Sequence, residues 1–102
     1  MAMHMAGSPV AALANVHCAA ATENFLALEN HSADLPWWSS LVNGITGPLV
    51  QEGYVQVPET PGLGFTDLNL DVCREHVHPD DPEIFAPTEM WNVQRSHDRL
   101  WS

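Results

Sequence analysis

A chain of 102 residues is long enough for at most one small domain with a modest interior. Thirteen acidic side chains stand against three basic ones, all arginines, for a formal net charge of −10 with the histidines neutral. That balance excludes nucleic acid and anionic membrane as partners, since both need basic clusters, and an acidic excess is mostly a solvated face.

In chain order, Met1 to His4 reads as the tail of a buried strand. Ser8 suits a helix N-cap and Pro9 the first helical position, where its missing N–H costs nothing. The alanine-rich stretch Val10 to Thr22, free of Gly and Pro, predicts a helix. Its apolar residues run almost all the way round, which predicts burial on several sides, with Cys18 as a buried small hydrophobe. Phe25-Leu26-Ala27-Leu28 is a short continuous apolar run and predicts a buried parallel strand. Strand, helix, strand is the repeating unit of an α/β fold. Beyond Asn30 the texture becomes polar and aromatic, with Pro36 and the pair Trp37-Trp38. Ser39 to Val50, broken by Gly44, Gly47 and Pro48, reads as loop or weak helix. Glu52-Gly53 predicts a turn and Tyr54 to Val57 a short strand. Pro58 to Gly64 is extended and turn-rich, and Asp67 or Asn69 can cap a short helix through Val72, Cys73 and Val77. The stretch from His78 onward, with Pro79, Pro82 and Pro87, predicts an irregular tail whose Trp91 and Trp101 could dock onto another surface. The two cysteines, Cys18 and Cys73, have no metal or redox spacing. No signal peptide or membrane span is legible, so the expected location is the cytoplasm.

Two residues stand out by position. His4 sits at the C-terminal end of the first predicted strand and Glu29 at the C-terminal end of the second. Ligands of parallel α/β folds gather at the C-terminal ends of strands, and a histidine and a glutamate facing one substrate form a natural acid–base pair. Adjacent parallel strands would bring the two side chains within about 10 Å, given a strand spacing near 4.8 Å. The plainer reading is a strand-end histidine and a surface glutamate. His31 and Asp34 follow closely and could line the same mouth, against the plainer reading of a solvent loop. Trp37 is a further candidate for substrate contact, against ordinary aromatic packing. His17 reads as a structural histidine. The His76-x-His78 pair with Asp80 and Asp81 lacks a further ligand pair at metal spacing, so no metal ligand is expected.

Three ordered motifs resemble a known family: His4-Met-Ala-Gly-Ser-Pro-Val-Ala-Ala-Leu-Ala-Asn15, Glu23-Asn-Phe-Leu-Ala-Leu-Glu29, and Gly53-Tyr54 with Val57-Pro58 and Pro61-Gly-Leu-Gly64. Together, as far as about Cys73, they resemble the C-terminal part of galactonate-type acid-sugar dehydratases, in the mandelate racemase branch of the enolase superfamily. The resemblance implies a C-terminal fragment of a (β/α)8 barrel: its last two strands and intervening helix in residues 1–50, an extension in 51–77 that packs on a capping domain, and the irregular tail 78–102. It implies that His4 moves a proton at the α-carbon or assists departure of the β-hydroxyl. It also implies that Glu29 gives a hydrogen bond or proton to the substrate carboxylate of a sugar acid.

The family's Mg²⁺ ligands, its second acid–base group and the aspartate that orients the histidine all lie upstream of the matching region. A full barrel takes roughly 250 residues, so a truncated gene, a late start or a fragment is expected. The missing partners are then the rest of the barrel and the capping domain. The chain alone is expected to hold no Mg²⁺ and to be inactive, while the complete parent is a Mg²⁺-dependent dehydratase or racemase; a homo-oligomer is compatible with either. The alternative is a non-catalytic remnant or a small interaction module.

Overall fold

The computed structural model describes residues 1–32, 34–81 and 83–86. Its first third is a βαβ unit. Strand β1 (Ala2–Met3) and strand β2 (Ala27–Leu28) pair in parallel, Ala2 opposite Ala27 and Met3 opposite Leu28. Backbone hydrogen bonds carry the pairing further in both directions: Leu26 N–H to Met1 O (2.8 Å), Glu29 N–H to Met3 O (2.8 Å) and His31 N–H to Met5 O (3.2 Å).

Helix α1 (Pro9–Ala20) makes the crossover. Pro9 occupies its first turn, and the Ser8 carbonyl accepts the Ala12 N–H at 3.0 Å. The Ser8 side chain, although at the N-cap, makes no capping bond. At the far end the Thr22 hydroxyl donates to Cys18 O at 2.7 Å, a local bond that competes with continued helix. Pro9, Ala12, Leu13 and Val16 are buried, a single stripe at helical spacing. The expected burial on several sides is not found: Cys18, Ala20 and Ala21 are exposed. No described element lies against that side of the helix, so small apolar side chains there stay in water.

The core gathers Met5, Ala12, Leu13, Trp38 and Leu49, with Leu28, Leu41, Ile45, Val50, Val55, Leu63 and Phe65 packed around it. Trp38 is the anchor. It is 2% exposed, and its Nε1–H donates to Gly7 O at 2.8 Å, so the buried indole leaves no polar atom unpaired. A 3₁₀ turn (Trp38–Leu41) delivers it and runs directly into strand β3 (Val42–Asn43). β3 pairs antiparallel with β4 (Asp67–Leu68), Val42 opposite Leu68 and Asn43 opposite Asp67. β3 lies within residues expected to be loop or weak helix, and β4 takes in Asp67, one of the two residues expected to cap a helix. Gly44 ends β3 with φ +89°, and a Cβ there would lie 2.7 Å from Thr66 Cγ2; the crossing is tight enough to require glycine.

Tyr54 to Val57 does not form the expected strand. Glu52 (φ 52°) and Gly53 (φ 83°) make a tight turn that closes a single Gln51–Tyr54 bridge, and the pairing stops there. Phe25 and Leu26, expected within a buried strand, precede β2 and are 39% and 79% exposed. In both places no further strand is present among the described residues to cover the apolar side chains. Asn69 caps helix α2 (Leu70–Glu75), its side-chain oxygen accepting the Val72 N–H at 3.4 Å. Residues 78–81 and 83–86 carry turns only; the expected docking of Trp91 and Trp101 lies outside the described residues. The chain is α/β, and among the described residues no helix is long and apolar enough to cross a membrane.

Candidate active site

The parallel register decides the geometry. Met3 is opposite Leu28, so the next residues, His4 and Glu29, emerge side by side at the C-terminal ends of β1 and β2. Alternation along an extended chain sends neighbouring side chains to opposite faces. Met5 and Leu28 therefore turn into the core, while His4 and Glu29 turn out together. His31, two residues past Glu29, returns to the same face. Its backbone is held by the bond to Met5 O, and the Asn30 side chain accepts the Ser32 N–H at 3.0 Å, turning the chain immediately afterwards.

Three side chains meet on this face. His4 Nε2 lies 3.9 Å from Glu29 Oε2, and His31 Nε2 lies 2.9 Å from Glu29 Oε1. The two imidazoles are 5.3 Å apart between centroids and tilted by 47°. Each carboxylate oxygen thus faces its own ring. All three side chains are more than half exposed, at 67%, 56% and 53% for His4, Glu29 and His31. Contacts of this exposure contribute about 0–1 kcal/mol to stability, so the grouping is not explained as a structural brace. An imidazole and a carboxylate in contact can take up and deliver a proton on a ligand laid across them.

The other sequence candidates go elsewhere. Trp37 stacks on His76, with ring centroids 3.9 Å apart and planes 13° from parallel, so its described partner is not the strand-end group. His78 Nδ1 accepts the Asp80 N–H at 3.3 Å and lies 3.6 Å from Asp80 Oδ2. The two members of the His-x-His pair therefore serve different neighbours. His17 Nε2 sits 3.4 Å from Leu63 O, half-buried, as a structural histidine should. Asp34 is exposed. The close seating of His31 on Glu29 has a signal in their i, i+2 spacing, which puts both side chains on one face of an extended segment.

Among the described residues, His4, Glu29 and His31 form the one group of three whose ligand atoms lie close together, all within 4.8 Å. Mg²⁺ asks for an octahedral shell of oxygens, usually from carboxylates and water. One carboxylate and two imidazoles do not supply it, so this group does not fit Mg²⁺.

Residues 1–71 match the family model described as enolase C-terminal domain-like. The chain is 46% identical over 77 residues to D-xylonate dehydratase of Haloferax volcanii, a match that covers 76% of this chain and 18% of that enzyme. It also resembles the crystal structure of a mandelate racemase/muconate lactonizing enzyme-like protein from Rubrobacter xylanophilus, with a TM-score of 0.70 and 39% identity over 80% of this chain and 21% of that one. The chain thus spans about a fifth of the length of either relative.

Proposed function

Because this chain belongs to the enolase C-terminal domain-like family, we propose that it is the closing strand–helix–strand of a (β/α)8 barrel in an acid-sugar dehydratase or racemase, and that His4 and Glu29 are its acid–base groups. The observation that carries this reading is the meeting of an imidazole and a carboxylate at the C-terminal ends of two adjacent parallel strands, 3.9 Å apart. That is the end of a barrel at which substrates are bound.

The chemistry follows from what these groups can do. Removing the proton α to a carboxylate puts charge on the carboxylate oxygens, and loss of the β-hydroxyl as water then needs a proton on the departing oxygen. His4 is the group that moves a proton, at the α-carbon or at that oxygen. Glu29, when it carries a proton, donates a hydrogen bond to the substrate carboxylate, where charge grows in the transition state. His31, 2.9 Å from Glu29, positions that carboxyl and offers a ring nitrogen to a substrate oxygen. The Mg²⁺ of this reading belongs to carboxylates outside these residues. By the same argument the chain by itself turns over no sugar acid.

The test is a chimera in which this chain replaces the matching 77-residue segment of D-xylonate dehydratase. We expect the chimera to convert a sugar acid to its 2-keto product in the presence of Mg²⁺, and the isolated chain to give none. Replacing His4→Asn in the chimera is expected to lower kcat by about 10²–10⁴-fold, the usual share of a general acid or base. A folded chimera that works equally well with His4→Asn and Glu29→Gln would sink the assignment.

A further inference from the structure

The geometry points to a divalent transition-metal site formed by His4, Glu29 and His31, selective for zinc-like ions over Mg²⁺. Three donors bound at 2.0–2.2 Å in a tetrahedral shell lie roughly 3.4 Å from one another. The distances here lie near that figure: His31 Nε2 is 2.9 Å from one oxygen of Glu29, His4 Nε2 is 3.9 Å from the other, and one ligand atom from each of the three residues lies within 4.8 Å of the other two. Small side-chain rotations are enough to seat an ion between them. The backbone need not move, because Glu29 and His31 are tied to Met3 and Met5 by ladder hydrogen bonds. With the backbone already held, only side-chain freedom is lost on binding.

Donor chemistry sets the selectivity. Two imidazoles with one carboxylate is the ligand set of open zinc centres, which keep a fourth position for water or substrate. Imidazole suits zinc, copper, nickel and iron, whereas Mg²⁺ prefers oxygen alone. The site faces solvent on the exposed strand ends, so a hydrated ion can reach it. Among the described residues the other histidines are engaged: His76 lies against Trp37, His78 beside Asp80, and His17 against Leu63 O. The inference does not rest on the dehydratase reading, since ion binding is measured on this chain with no substrate present. An ion held here would take the lone pairs that proton transfer needs, so it would oppose His4 and Glu29 as an acid–base pair.

Calorimetric titration of the whole chain with Zn²⁺, and visible absorption with Co²⁺, test it. One ion per chain is expected, undisturbed by millimolar Mg²⁺. His4→Ala, His31→Ala and Glu29→Gln should each weaken binding by about 10–100-fold or more, at least the loss seen when a supporting neighbour of a metal ligand is removed. His76→Ala, His78→Ala and His97→Ala should bind as the parent does. Far-UV circular dichroism shows that each variant keeps its helices, so a loss of binding is not a loss of fold. The proposal is overturned if the chain takes up no ion, if the His4→Ala/His31→Ala double variant binds as well as the parent, if binding follows His78 or His97 instead, or if Mg²⁺ competes on equal terms.

Discussion

At the scale of single residues, two neighbours just past β1 show how differently adjacent side chains are used. His4 faces water beside Glu29 and His31, whereas Met5, 3% exposed, lies in the core. Substitutions on the outer face should therefore leave stability nearly untouched. We expect His4→Ala, Glu29→Gln and His31→Ala to change the free energy of unfolding by less than about 1 kcal/mol each. Trp38→Phe should cost about 1–3 kcal/mol, because the Gly7 carbonyl loses the indole N–H that satisfies it. Urea unfolding curves of the four variants check the contrast. A cost for His31→Ala as large as that for Trp38→Phe would mean that the outer group braces the fold and would remove the reason to read it as functional.

At the scale of elements, the two helices begin differently and the two β-pairings are both short. Ser8 stands at the N-cap of α1 without bonding to it, while the Asn69 side chain does cap α2. Ser8→Ala is accordingly expected to cost less than about 0.5 kcal/mol, below the typical ~1 kcal/mol for losing a serine cap. Gly44→Ala tests the β3–β4 crossing. Positive φ and a Cβ 2.7 Å from Thr66 together make a cost of about 1–3 kcal/mol the expected result. Midpoints of chemical denaturation measure both changes, and a neutral Gly44→Ala would show that β3 and β4 do not approach as closely as described.

At the scale of the whole molecule, the apolar surface left open is the dominant fact. Leu26 is 79% exposed and Tyr54 80%. They line a groove of about 400 Å³ with Phe25, Val16, Val55 and Val57. Exposed apolar surface gathered in one place favours association. Sedimentation velocity over a range of concentrations should show the chain self-associating, and Leu26→Asp should shift it toward monomer. Concentration-independent monomer for the parent chain would show that this surface tolerates water unaided.

The parts legible in the sequence are those governed by short-range rules. Pro9 ahead of an alanine run starts α1 because a fixed φ and high helix propensity act within one turn. Glu52-Gly53 turns because glycine adopts positive φ freely, and Asn69 caps because its oxygen reaches an N–H three residues on. The strand-end positions put His4 beside Glu29 once two adjacent parallel strands were inferred, whereas His31 was seated on Glu29 only by the structure. Other outcomes were settled only when distant segments met. Trp37 and Trp38 are identical neighbours; the 3₁₀ turn sends one into the core and leaves the other to stack on His76. The β3–β4 pair joins residues with no local strand signal, so its existence depends on closing the long loop between them. Cys18 and Leu26 have apolar surroundings in sequence yet lie in water. Local pattern states which side chains are fit to be buried, but burial itself requires a second surface, and that surface comes from tertiary structure.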